Sequence, residues 1–117
     1  MRCEVEGCRN VGQKHHVVFR SQGGLDIDVN YKYLCAEHHT GKKGPHGSRT
    51  IDLEYKCGVQ NKLFELFQEE EYVIGTIAEK IGYDRNRLQR RFKAVPQRAG
   101  IYKREDVVRA LMGGRLY

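Results

Sequence analysis

The spacing of apolar residues changes along the chain, and the first third shows the pattern of short strands. Apolar runs bounded by turn residues predict a strand at 15–19, "HHVVF", a loop at 21–30, "SQGGLDIDVN", and a second strand at 31–34, "YKYL". The next stretch, "CAEHHTGKKGPHG", begins as a short helix and breaks at its glycines and at Pro45. The predicted order is strand, loop, strand and helix.

Helical spacing replaces the strand pattern from residue 51 onward. Apolar side chains recur at every fourth position, which predicts an amphipathic helix whose stripe comprises Ile51, Tyr55, Val59, Leu63 and Phe67. Such a helix is either a connector packed on its neighbours or a partner-binding or dimer helix. We favour the connector.

Residues 72–117 predict a second structural unit made mostly of short helices. A helix with Ile77, Ala78 and Ile81 inward is followed by a turn at Gly82 and a second helix, the arrangement of a helix-turn-helix. A short strand or wing then precedes a helix over about 104–112, which a glycine pair ends. This tail resembles the small winged-helix modules of phage excisionases.

The three parts together predict an α+β fold, and their charges differ. We expect a first module over 1–49, a connecting helix over 50–71 and a mostly helical module over 72–117. The net charge of +6 is made up of +3 over 1–50, −4 over 51–75 and +7 over 76–117. Two basic ends favour a polyanionic partner such as nucleic acid, with a merely solvated basic surface as the alternative.

Basic side chains are densest on the second helix of the tail. With Leu88 and Phe92 spaced for the buried face, the opposite face would present one positive surface to DNA. Its members are Arg85, Arg87, Arg90, Arg91 and Lys93. The alternative is a solvated helix face.

The sequence also indicates the cellular compartment and, through its four cysteines, a metal cofactor. No apolar run approaches a membrane span and no signal peptide is visible, so we expect a cytoplasmic protein without a membrane partner. Reducing cytosol disfavours disulfides and favours metal binding. The pairs C-x4-C and C-x2-H suit a tetrahedral structural Zn²⁺ held by Cys3, Cys8, Cys35 and His38. The alternative for the first pair is two reduced thiols.

Two adjacent histidines lie at the head of the first predicted strand. Neighbouring side chains of a strand point to opposite faces, so His15 and His16 cannot do the same job. One can bind a metal ion while the other contacts a substrate. A divalent ion beside a neutral imidazole is an arrangement that cleaves phosphodiesters.

The segments "HHVVFRSQGG" and "YLCAEHH", with Asn30 between them, resemble the HNH endonuclease family, the ββα-metal nucleases, over roughly residues 3–47. The resemblance implies that His15 and His39 bind a catalytic divalent ion and that His16 is the general base. It implies that Asn30 holds the base strand in place across the loop. His46 lies where some members supply a further metal ligand or a phosphate contact.

One departure from that family concerns the zinc ligands. Many zinc-containing members have C-x2-C-H where this chain has C-x2-H-H, so His38 takes the place of a cysteine. An imidazole is an acceptable zinc ligand, and the alternative is that His38 only supports the site from outside. Arg20, next after the first predicted strand, is a candidate for gripping a phosphate of DNA, with a solvated arginine as the alternative.

The resemblance implies a metal-dependent DNA endonuclease or nickase of phage or prophage origin. Its catalytic ion would be Mg²⁺ or Mn²⁺, with Zn²⁺ or Ni²⁺ as alternatives. Its partners would be DNA and either a second copy or other phage DNA-processing proteins. The competing interpretation is a non-enzymatic, zinc-containing DNA-binding protein, either a regulator or a recombination accessory factor.

Overall fold

The computed structural model describes all 117 residues and has an α+β fold with two small sheets. The predicted fold class is therefore confirmed at that level. The first sheet pairs β1 (Gln13–His16) with β2 (Tyr31–Leu34) in antiparallel register, so that His15 is the partner of Lys32. Helix α1 (Ala36–Thr40) follows β2 directly. The predicted order of strand, loop, strand and helix is present.

The first strand ends earlier than its sequence predicted. The apolar run to residue 19 suggested a strand through Val17 and Val18, but β1 stops at His16. The reason is that the side chain of Asn30 bonds both the N–H and the C=O of Val18 and so takes up the groups that a strand neighbour would use. Both valines pack into the core instead, with 2% and 0% exposure.

Helix α2 (Arg49–Leu66) starts at Ser48, whose hydroxyl accepts the N–H of Ile51. The second half of the predicted apolar stripe is buried, since Val59, Leu63 and Phe67 lie in the core. The helix also buries Lys56, which the apolar pattern did not mark.

The C-terminal third contains two similar strand–helix units. Strand β3 (Glu71–Val73) continues into α3 (Ile74–Ile81), and β4 (Ile101–Lys103) continues into α5 (Arg104–Leu111). The two strands pair antiparallel about the buried Tyr72 and Tyr102. Between the units, Gly82 has the left-handed conformation at the end of α3 and precedes α4 (Arg85–Arg91).

The main hydrophobic core joins the loop after β1 to the helices of the rest of the chain. Val17, Val18, Leu25 and Ile27 of the first third pack in the same cluster as residues of α2, α3, α4 and α5. At Gly113, which has a positive φ of 86°, an added Cβ would lie 2.0 Å from the carbonyl oxygen of Gln22. The end of α5 therefore supports the loop between β1 and β2 directly. No helix is both long and apolar enough to cross a membrane.

Candidate metal centres and catalytic cleft

The first candidate centre joins the N-terminal segment to the start of α1. Cys3 and Cys8 come from a turn closed by the N–H of Cys3 bonding the carbonyl of Asn10. Cys35 is the residue before α1, and His38 lies on that helix. Their four ligand atoms lie within 4.8 Å of one another.

The distances between these ligand atoms suit a tetrahedral ion. The Sγ atom of Cys35 lies 3.2 Å from Nδ1 of His38 and 3.9 Å from Sγ of Cys8, and Sγ of Cys3 lies 3.6 Å from the same Nδ1. Bonds of about 2.3 Å to sulfur and 2.0 Å to nitrogen place tetrahedral ligand atoms about 3.5–3.8 Å apart. This group could hold a metal ion such as zinc.

The ionisation of Cys35 also favours metal binding. The backbone N–H of His38 bonds its sulfur and, with smaller contributions such as the Asn10 amide, lowers the pKa of Cys35 to about 6. The thiolate is the form that binds metal, so this shift favours metal binding at Cys35. All four cysteines of the chain are free of disulfides, and Cys57 lies outside the group.

The second candidate centre consists of three imidazoles. His15 comes from β1, His39 from α1 and His46 from the turn that follows α1. Nδ1 of His15 lies 3.0 Å from Nε2 of His39, and the ring of His46 lies 5.2 Å and 4.8 Å from the rings of His15 and His39. The coordinating nitrogens all lie within 4.8 Å of one another.

Burial makes His15 a suitable ligand. The residue is 3% exposed, and its Nε2 has no hydrogen-bond partner in the protein. Burial, together with the charges of His39 and His46, lowers the pKa of His15 to about 3. A neutral imidazole with an unpartnered buried nitrogen is the form that binds a cation. The three-histidine group could therefore hold a metal ion.

His16 lies in the same cleft as the three imidazoles but belongs to neither ligand group. Its side chain is 19% exposed, and Nε2 lies 2.6 Å from Oδ1 of Asp26. The cleft has a volume of about 350 Å³. The lining residues are Lys14, His15, His16, Phe19, Arg20, Ser21, His39 and His46. The adjacent histidines therefore differ in surroundings, as the alternation of a strand requires.

Asn30 braces the loop between the two strands. The residue is 1% exposed, and its side chain makes three hydrogen bonds to the backbone. Oδ1 accepts the N–H of Val18 at 2.8 Å, and Nδ2 donates to the carbonyls of Val18 and Leu25 at 3.0 and 3.1 Å. These bonds fix the path of the chain just after His16.

The predicted basic surface of the tail contributes no residue to either ligand group or to the cleft that contains His16. All five of its basic residues are exposed on or just after α4, while Leu88 and Phe92 on the opposite face are buried. Arg91 is the one member that lines a cleft shared with the β1–β2 loop, through Gly23 and Leu25.

Two features of the site were not foreseen from the sequence. Asp26 contacts both His16 and Arg20, which the sequence pattern did not indicate. Lys56 is 1% exposed, pairs with Asp52 at 2.6 Å and lies 4.1 Å from the centre of the Phe19 ring. A signal for it existed, because Lys56 shares the i, i+3, i+7 face of Val59 and Leu63.

Comparison of the chain with protein-family models, curated proteins and solved structures gave no match.

Proposed function

We propose that this protein is a metal-dependent endonuclease of the HNH type that hydrolyses phosphodiester bonds in DNA and is encoded by a phage or prophage. One observation carries the proposal. A three-imidazole group and a separate fourth imidazole, His16, line the same open cleft. A purely structural protein would need the centre that contains the thiolates, but it has no use for a second group of histidines that lines an open cleft.

The divalent ion and the side chains of the protein would have different roles in the reaction. A divalent ion such as Mn²⁺, Ni²⁺ or Zn²⁺ at His15, His39 and His46 would stabilise the negative charge of the leaving oxygen. Mg²⁺ prefers oxygen ligands and fits three imidazoles less well. His16 would take a proton from a water molecule, whose oxygen then forms a bond to phosphorus. The bond from phosphorus to the leaving sugar oxygen breaks, and that oxygen takes a proton from solvent. Asn30 would hold the backbone after His16 during this step.

The remaining elements would support that reaction. The first centre would hold a structural Zn²⁺ that fixes α1, and with it His39, against the N-terminal segment. The basic surface of α4 would bind the DNA backbone, because lysine and arginine at phosphates release counterions. Arg20, which is 71% exposed, has guanidinium nitrogens free to contact a phosphate at the cleft.

Adjacent substitutions in the cleft test the proposal. His16→Ala should still bind divalent metal and DNA but nick supercoiled plasmid at least ~10²-fold more slowly, the range for a lost general base. His15→Ala should instead weaken metal binding, so that raised Mn²⁺ restores part of its rate. Gln13→Ala, an exposed change on the same strand, is the matched control and should keep full activity. Equal, full activity of all three variants would refute the nuclease.

A second candidate function is a non-enzymatic DNA-binding protein. The exposed basic face of α4 favours it, because that face does not depend on the cleft. DNA binding that weakens on Arg87→Gln and Arg90→Gln, without any cleavage under metal titration, would favour this candidate over the nuclease. The full chain must be used, because the shared core means that removing residues 72–117 would expose Val17 and Val18.

A further inference from the structure

The carboxylate of Asp26 lies between the imidazole of His16 and the guanidinium of Arg20. Its Oδ1 is 2.6 Å from Nε2 of His16 and 3.0 Å from Nη2 of Arg20, and its Oδ2 is 3.2 Å from the same Nη2. These hydrogen bonds, with that from His16 the largest contribution, hold the pKa of Asp26 below its usual value of 3.8. The group is therefore a carboxylate at neutral pH.

A carboxylate can only accept hydrogen bonds, and this restricts the neighbouring imidazole. Because the Asp26 carboxylate accepts a hydrogen bond from Nε2 of His16, that nitrogen must carry the proton when His16 is neutral. The lone pair is then left on Nδ1, which is the nitrogen that can accept a proton. Fixing one tautomer and one ring orientation is what makes a neighbouring carboxylate useful to a histidine base.

The loop places Asp26 through its two neighbours in the chain. Leu25 and Ile27 are both 3% exposed and pack in the core, so the side chain of Asp26 between them projects outward. The carbonyl of Leu25 also accepts a hydrogen bond from Asn30. The position of this exposed carboxylate is thus set by buried residues on either side.

We propose that Asp26 is a positioning residue, which holds His16 as the Nε2-protonated tautomer and so raises the rate at which it accepts a proton from water. The proposal rests on the proposed nuclease function. Asp26 touches neither substrate nor metal in this account. Asp26 also contacts Arg20 and could affect activity through that residue. The experiment therefore distinguishes an effect through His16 from an effect through Arg20.

The first arm of the experiment reads the tautomer without any reaction. Nitrogen-15 NMR of the full, zinc-containing protein above pH 8 should show His16 protonated at Nε2, and Asp26→Asn should shift the ring toward a mixture of tautomers. Asp28→Asn changes an exposed aspartate of the same loop that makes no side-chain hydrogen bond to His16, and should leave the spectrum unchanged. An identical His16 tautomer in wild type and Asp26→Asn would overturn the proposal.

The second arm is a double-mutant cycle on kcat for plasmid nicking. Asp26→Asn should lower kcat by at least about 10-fold with little change in KM, and should have almost no further effect in the His16→Ala background. The effect should persist in the Arg20→Ala background, which excludes action through that arginine. An undiminished effect of Asp26→Asn in the His16→Ala background would also overturn the proposal. A wild-type protein that nicks no DNA would overturn the nuclease, while the NMR arm still decides whether Asp26 fixes the ring.

Discussion

Asn30→Ala should destabilise the protein strongly, although the substitution lies in a loop. The change removes three hydrogen bonds, and the backbone groups of Val18 and Leu25 that lose their partners lie at residues with 0% and 3% exposure. At about 1 kcal/mol net for each bond, the loss is about 3 kcal/mol. Because water cannot easily reach the orphaned groups, the cost rises toward about 5 kcal/mol. This is a large part of the stability of a small domain.

Urea unfolding of the protein prepared with Zn²⁺, followed by circular dichroism, measures this loss. The midpoint should fall while the dependence on urea concentration keeps its slope, since the core remains. Asn61→Ala is the matched control, because Asn61 is exposed on α2 and should change the free energy of unfolding by less than about 0.5 kcal/mol. A loss below about 1 kcal/mol for Asn30→Ala would refute the idea that this side chain braces the loop.

Three further outcomes follow from the same geometry. Cys35→Ser should lose the tightly bound zinc and unfold the region from β1 to α1, and elemental analysis that finds no zinc in the wild type would disprove the ligand assignment. Asp52→Ala should lower the free energy of unfolding in urea by about 3–5 kcal/mol, because it leaves the charge of Lys56 buried without a partner. Adding Lys56→Met to the same chain should recover most of that free energy. No recovery would show that the buried charge is not the cause of the loss. The Asp26 carboxyl should titrate below 3.8 by NMR, and His16→Ala should raise its midpoint. Because the folded-state pKa is the lower one, its stabilisation is present above the unfolded pKa and is lost as pH falls through the folded value. An unchanged midpoint would contradict the contact.

The elements that the sequence predicted well are those set by local spacing. The stop at Gly82, the helix begun by Arg104 and the grouping of Cys35 with His38 each depend on residues a few positions apart. Strand β3 was missed because three residues that run straight into α3 are too few to show an alternating pattern.

The features that the sequence did not predict depend on long-range packing. Asp26 reaches His16 only because Asn30 and the core fix the loop across ten residues. The family resemblance, and not the apolar pattern, placed His46 near His15. Their approach depends on a tight turn after α1, where an added Cβ on Gly44 would lie 2.5 Å from the carbonyl oxygen of His38. No periodicity of apolar residues encodes such backbone contacts.

The rate of metal-dependent DNA cleavage tests the account most directly. The measurement is the initial rate of nicking of supercoiled plasmid at saturating Mn²⁺, for the wild type and for His16→Ala, with equal zinc content in both. We expect nicking by the wild type that chelation abolishes, and a rate at least ~10²-fold lower for His16→Ala. Equal rates for the two proteins, or no nicking by the wild type at any concentration of Mn²⁺, Mg²⁺, Ni²⁺ or Zn²⁺, would contradict the assignment of this cleft as a nuclease site.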